Sequence, residues 1–258
     1  MQIDVVRLRD FYASPLGVVT ARLVSARLGE MWPDVAGRRV LGLGYAVPYL
    51  GALVPDGVVS RRQAERVIAL MPSHQGVHPW PASSRRGNLA ALANEATLPL
   101  ADGAVDLILM VHYLETSESL KPMLREAWRV LADGGRLLVV APNRTGSWAF
   151  FERTPFGYGR PYSVGQLEAV LRTHLFTPTR RCASLFAPPM TSSAGLRALM
   201  AVESIGGRWW RRLGGVVLME AEKRLYALNA TMEPARARRL APTPAVSTMN
   251  RNHKEPRP

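Results

Sequence analysis

Residues 98–111 read Leu-Pro-Leu-Ala-Asp-Gly-Ala-Val-Asp-Leu-Ile-Leu-Met-Val, and this stretch does most to decide the fold. Its second half, residues 104–111, is almost uniformly apolar, which is typical of a parallel strand covered by helices on both faces. An amphipathic helix is predicted over 119–131, and the turn at 133–135 leads into another apolar strand at 136–141. Alternating strands and helices of this kind predict an α/β fold with a right-handed, doubly wound parallel sheet.

The same alternation continues on both sides of this stretch. Upstream, residues 4–31 are predicted to be helical, and a helix over 163–174 with Ser163 as its N-cap is predicted downstream. A helical insertion is expected near 194–212. Further short apolar runs predict strands at 40–43, 67–70, 88–92, 180–186 and within 216–228.

The composition is strongly basic and almost free of cysteine. The formal net charge is +13, and only 3 of the 33 basic residues are lysines. An excess of arginine fits either a GC-rich genome or an acidic partner such as a nucleic acid, a protein or an anionic surface. The single cysteine, Cys182, excludes an intrachain disulfide. No signal peptide or apolar run of membrane-spanning length is evident, so a cytoplasmic protein is expected.

The segment 38–49 predicts a nucleotide-binding turn after the first strand. It reads Arg-Arg-Val-Leu-Gly-Leu-Gly-Tyr-Ala-Val-Pro-Tyr, in which the strand at 40–43 runs into Gly44. Glycine has no Cβ and so permits a ligand to approach the backbone closely. Pro48 removes a backbone donor and fixes its own φ, so the turn into the next helix should be unusual.

Three motifs, in the same order and at similar distances, resemble those of class I S-adenosylmethionine-dependent methyltransferases of the type 11 group. They are the strand entry at 98–108, the turn His112-Tyr113-Leu114-Glu115 and the helix-to-strand passage at 124–137, where Asp133 replaces the proline of the family. The resemblance covers roughly residues 35–145. It implies a Rossmann-like, doubly wound seven-stranded sheet, mostly parallel with one antiparallel strand.

The resemblance also implies S-adenosylmethionine as cofactor, bound at the carboxyl ends of the strands. The residues that it places there are Gly42, Leu43, Gly44, Tyr45, Met71, Asn94, Glu95 and His112. Asn94 and Glu95 stand where the family contacts adenine, with a solvated loop as the alternative. His112 could contact substrate or act as a base, or it could be a structural histidine.

The cofactor motifs depart from the family pattern. Gly42 stands at the position of an acidic residue, and Ala46 and Pro48 stand at later glycine positions. The carboxylate that normally binds the ribose hydroxyls is replaced by Leu70 and Met71. Loss of such a contact costs about 1.5–3 kcal/mol, or roughly tenfold to a hundredfold in affinity. The donor site is therefore expected to be weakened or lost.

Two segments are candidates for binding an acceptor or a partner. The loop 154–163 is rich in glycine and aromatic residues and either lines an acceptor pocket or forms a rigid lid. Trp209 and Trp210 lie among arginines and suggest an exposed contact for a protein or nucleic acid. His74 and His78 are spaced by four residues, but the sequence shows no third metal ligand.

Two functions follow from these observations. The first is a methyltransferase acting on an unknown, small-molecule acceptor, without an identifiable catalytic residue. The second is a catalytically inactive methyltransferase-like scaffold that binds a protein or nucleic acid. The predicted organisation is an N-terminal helical segment at 1–34, a methyltransferase-like domain at 35–230 and a disordered basic tail at 231–258.

Overall fold

The computed structural model describes residues 3–54, 63–81, 87–209 and 213–224. Of residues 204, 208 and 209 it describes the backbone alone. The predicted basic tail and Trp210 lie outside these ranges.

The core of the protein is a seven-stranded sheet with the order β3-β2-β1-β4-β5-β7-β6. β7 runs antiparallel to both β5 and β6, and the remaining neighbours are parallel. The predicted Rossmann-like sheet with one antiparallel strand is confirmed. The strands are β1 Arg39–Gly44, β2 Arg66–Pro72, β3 Ala90–Ala93, β4 Val105–Val111, β5 Leu131–Pro142, β6 Phe176–Ser184 and β7 Val216–Lys223.

Helices cover both faces of the sheet. Buried side chains of α1, α2, α3 and α6 pack in one core with alternate residues of the strands. Those of α4 and α5 form a second core on the opposite face. These two layers explain why the central strands are apolar at nearly every position. The helices are α1 Val5–Ala13, α2 Pro15–Met31, α3 Val47–Leu50, α4 Leu120–Val130, α5 Val164–Thr173 and α6 Ser193–Trp209.

The helical segment predicted at 4–31 consists of two helices. Ser14 has extended backbone angles, and its side chain accepts a hydrogen bond from the N–H of Gly17 to cap α2. Pro15 follows at the first helical position, where its missing N–H costs nothing. Asp4 caps α1 in the same way, through the N–H of Arg7. The break turns α1 away from α2, toward the carboxyl ends of the strands.

The strand predicted at 180–186 is displaced toward the N-terminus. β6 begins at Phe176 and pairs with β7 as far as Ser184. Leu185 then adopts a φ of 65°, a conformation that no β-strand continues. Apolar composition alone did not reveal this end, because Leu185 is itself fully buried.

Among the helices in the described ranges, none combines the length and the apolarity that crossing a bilayer requires.

β1 and β4 come into close backbone contact where β1 ends. Gly44 has a φ of +74°, and a Cβ built on it would lie 2.4 Å from the carbonyl oxygen of Val111. The N–H of Tyr45 donates to that same carbonyl at 2.9 Å. Glycine at this position is therefore required by the packing of the protein itself.

We expect Gly44→Ala to lower the free energy of unfolding by at least about 2 kcal/mol, since it adds both a disfavoured φ and a steric clash. Gly51→Ala is the matched control, because Gly51 has helical backbone angles and open space around its Cα. The control should change stability by no more than about 1 kcal/mol, in the stabilising direction. Urea unfolding of both variants measures the difference. Equal stability of the two would contradict the required close contact.

Candidate functional site

The carboxyl ends of β1 and β4 bring Gly44, Tyr45 and His112 to one place. β4 ends at Val111, and His112 then adopts a left-handed φ of 52°. That conformation is uncommon for a residue other than glycine and is often found at functional sites. It turns the imidazole into the protein, where the side chain is fully buried.

An aromatic cluster surrounds His112, formed by Tyr12, Tyr45, Tyr49 and Phe156. The Oη of Tyr12 lies 2.8 Å from His112 Nε2 and 2.8 Å from the Oη of Tyr49. The ring of Tyr12 stacks on Tyr45 at 5.7 Å between centroids, and Phe156 lies 4.8 Å from the imidazole. The space beyond Gly44 is therefore filled by side chains from α1, α3 and the loop after β5.

The phenols of the aromatic cluster are held in their neutral form. Burial raises the pKa of Tyr12 well above its ordinary value, and the neighbouring Tyr49 adds to the shift. Burial likewise raises the pKa of Tyr45 to about 12. Both phenols therefore keep their protons at physiological pH and act as hydrogen-bond donors as well as acceptors.

Glu115 is the second ionisable group at this position. Its Oε1 lies 3.3 Å from His112 Nδ1, within the range of an ion pair but without the alignment of a hydrogen bond. Both carboxylate oxygens are buried and have no hydrogen-bond partner in the described part of the chain. The loop holding Gly159 covers the residue, and the N–H of Arg160 donates to the Glu115 carbonyl at 2.9 Å.

Two further buried acceptors lie after β2 and β3. Gln75 donates from Nε2 to the carbonyl of His112 at 3.1 Å, while its Oε1 has no partner in the described ranges. Glu95 accepts from Ser117 through Oε1, at 3.2 Å, and its Oε2 is left unpaired there. Unpaired buried acceptors are uncommon in folded proteins and call for an explanation. Those of Gln75, Glu95 and Glu115 follow β2, β3 and β4, at the carboxyl ends of these parallel strands.

Of the other residues that were predicted to bind the cofactor, three take part in packing and one lies exposed in a turn, and their binding role stays a prediction. A Cβ on Gly42 would lie 2.5 Å from Leu50 Cδ1, so this glycine lets α3 lie close to the sheet. Leu43 and Met71 are buried in the two apolar cores. Asn94 is exposed, and its Oδ1 accepts from the N–H of Ala96 within its own turn.

The sequence did not single out Tyr12, Tyr49, Gln75 or Glu115 as site residues. Glu115 is the last residue of the His-x-x-Glu turn, so the motif could have marked it as a candidate. Tyr12 reaches His112 over 100 positions of sequence, and only the path of α1 brings them together. Gln75 lies in a polar loop without any periodic pattern, so nothing in the sequence marks it as buried.

The described residues contain no group of three or more potential metal ligands close enough to hold an ion. Trp209 ends α6, but its side chain and all of Trp210 lie outside the description. The proposed aromatic contact for a partner therefore stays a prediction.

Comparison with known proteins identifies the type of domain. A sequence model described as a methyltransferase domain matches residues 54–139. No curated protein matches the chain by sequence.

Solved structures share the fold at low sequence identity. A possible histamine N-methyltransferase from Thermotoga maritima is 19% identical, with a TM-score of 0.51 over 80% of this chain and 92% of its own. A putative methyltransferase from Haloferax volcanii, solved in complex with the activator Trm112, is 15% identical, with a TM-score of 0.56 over 78% and 89%. The geranyl diphosphate C-methyltransferase of Streptomyces coelicolor is 16% identical, with a TM-score of 0.51 over 80% and 82%.

We expect Glu115→Gln to leave the free energy of unfolding unchanged or to raise it by about 1 kcal/mol. The buried carboxylate has no donor in the described residues, so removing it relieves an unfavourable desolvation.

Glu203→Gln serves as the matched control. Glu203 is equally buried but accepts from Ser184 Oγ at 2.6 Å and from the N–H of Leu185 at 2.8 Å. Its replacement should cost about 1–3 kcal/mol. Chemical unfolding of the ligand-free proteins gives both values. Similar losses in the two variants would show that Glu115 is structural.

Proposed function

We propose that this chain is a class I S-adenosylmethionine-dependent methyltransferase that methylates a small-molecule acceptor beside His112, a function supported by its sheet and by its methyltransferase domain. S-adenosylmethionine is the methyl donor that this domain uses. The observation that carries the proposal is the set of buried oxygen acceptors on Gln75, Glu95 and Glu115 that have no hydrogen-bond partner among the described residues. Such oxygen acceptors are suited to ligands that supply hydroxyl and amine hydrogens.

The acceptors after β2 and β3 fit the nucleoside part of the donor. Met71 and its neighbours offer no carboxylate for the ribose hydroxyls, but Gln75 Oε1 lies just beyond β2 and is free to accept from a hydroxyl. Glu95 Oε2, after β3, is free to accept from an exocyclic amine. These two side chains replace the contacts that the degenerate motifs lack. Ligands of open α/β sheets bind at this edge.

When bound, the donor supplies a methyl group already activated by a sulfonium. Little side-chain chemistry is then needed beyond orienting the acceptor, excluding water and removing a proton. The aromatic cluster limits the access of water. The side chains of Tyr49 and His112 are buried, and the Tyr12 phenol contacts both of them.

We assign His112 as the base that takes the acceptor proton at Nε2. Glu115 faces Nδ1, which favours a proton on that nitrogen and leaves the lone pair on Nε2. The Oη of Tyr12 occupies the position opposite Nε2 at 2.8 Å. An acceptor hydroxyl or amine that replaced this phenol would meet the same nitrogen at hydrogen-bonding distance.

We expect calorimetric titration to detect binding of S-adenosylmethionine and S-adenosylhomocysteine with dissociation constants on the order of micromolar. Glu95→Gln should weaken both about tenfold, because its amide keeps one acceptor but loses the charge that strengthens the bond.

The control for this titration is Glu168→Gln. It removes a carboxylate of α5 that pairs with Arg181 of β6. It should leave both affinities unchanged. Absence of heat from either ligand at millimolar concentration would refute the assigned donor site and favour an inactive scaffold.

Two further expectations stay proposals. A protein or nucleic-acid partner at the arginine-rich surface, through Trp209 and Trp210, is supported by the net charge of +13. A cytoplasmic location is supported by the single cysteine, since few cysteines fit a reducing compartment.

A further inference from the structure

A cleft runs between α1, the start of α2 and the loop after β5. It consists of two adjoining cavities of about 690 and 440 Å³. Both are lined by Phe11, Ser14, Arg153 and Thr154, so they are two arms of one cleft. The larger arm is called the charged arm and the smaller the apolar arm. Together they have the size of sites that bind drug-sized molecules.

The apolar arm is suited to a hydrocarbon chain. Besides the shared residues, it is lined by the apolar side chains of Leu16, Phe151, Pro189 and Met190 and by Thr191 and Ser192. Methionine adapts its shape to irregular apolar ligands. At its rim Phe151 is 40% exposed and the adjacent Phe150 is 76% exposed. Adjacent exposed phenylalanines on a soluble domain mark a surface that binds an apolar partner or ligand.

The charged arm favours an anion. It is lined by Arg7, Asp10, Glu152 and Arg153 among others. Asp10 is already paired with Arg9 at 2.9 Å. Arg7 instead donates to the Oη of Tyr158 at 3.1 Å and forms no ion pair among the described residues. Because Arg9 offsets the charge of Asp10, two guanidinium groups face one carboxylate, that of Glu152, in this arm. Guanidinium groups bind carboxylate and phosphate oxygens through paired hydrogen bonds.

The cleft adjoins the reaction centre. Phe11 lines both arms and packs on Phe156 with 6.5 Å between centroids. Phe156 in turn packs on the imidazole of His112 at 4.8 Å. The rings of Phe11 and Phe156 therefore lie between the cleft and His112.

We propose that this cleft binds an amphipathic molecule, with an acyl or prenyl-like chain in the apolar arm and an anionic oxygen headgroup at Arg7 and Arg153. The proposal goes beyond the proposed function, because its ligand chemistry rests on the cleft alone.

Binding of simple amphiphiles tests the proposal without any methyl donor. Dodecanoate and dodecyl phosphate, below their micelle concentrations, are titrated by calorimetry against the whole protein, with dodecylamine and inorganic phosphate for comparison. We expect the two anions to bind at least about tenfold more tightly than the amine, and inorganic phosphate to give no measurable heat. The tighter of the two anions then identifies the headgroup. Equal binding of dodecylamine, or binding of inorganic phosphate alone, would overturn the proposal.

Variants assign the two arms separately. Arg153→Glu should weaken both anionic amphiphiles about tenfold, and Phe151→Ser should weaken all long-chain probes by a similar factor. Lys121→Glu on α4 and Leu175→Ser after α5 are matched controls, since both residues are exposed and neither lines the cleft. Effects of the same size in the controls would refute the assignment.

The donor titration distinguishes this proposal from the proposed function. Amphiphile binding without S-adenosylhomocysteine binding would uphold the cleft and reject the donor site. The reverse result would reject the amphipathic ligand of the cleft and leave the methyltransferase assignment in place.

Discussion

The close backbone contact between the ends of β1 and β4 is the constraint on which the site depends. Because Gly44 has no Cβ, the turn after β1 can lie against the Val111 carbonyl and accept the φ of +74°. This contact fixes Tyr45 above the sheet and leaves His112 to turn inward in a left-handed conformation. Both side chains then meet α1. A glycine that in related folds serves a ligand is here explained first by the packing of two strands.

Two buried glutamates, Glu203 and Glu115, differ in whether hydrogen-bond donors surround their carboxylates. Glu203 is surrounded by donors from β6 and the following turn, and it ties α6 to the sheet. Glu115 is buried to a similar degree but faces an imidazole and no aligned donor. A buried unpaired acceptor lowers stability, so its presence beside His112 is best understood as a group that awaits a ligand. The acceptors of Gln75 and Glu95 belong to the same pattern.

The N-terminal helix is part of the site. The N–H of Val5 donates to the Gln75 carbonyl at 2.7 Å, Tyr12 contacts His112, and Arg7 reaches Tyr158. α1 thus connects Gln75, His112 and the cleft.

The sequence by itself determined the sheet and the position of its carboxyl edge. Apolar strands with helical spacing between them admit few topologies, and the motifs at 98–108 and 124–137 fixed which strands are central. It also located His112 and the absence of a ribose-binding acid. Only the tertiary structure decided that Gly42 packs against α3, that Asn94 is exposed and that Tyr12, Gln75 and Glu115 contact His112. Local patterns report whether a residue prefers burial, but they carry no information on which distant side chains share that burial, and here the path of α1 settles it.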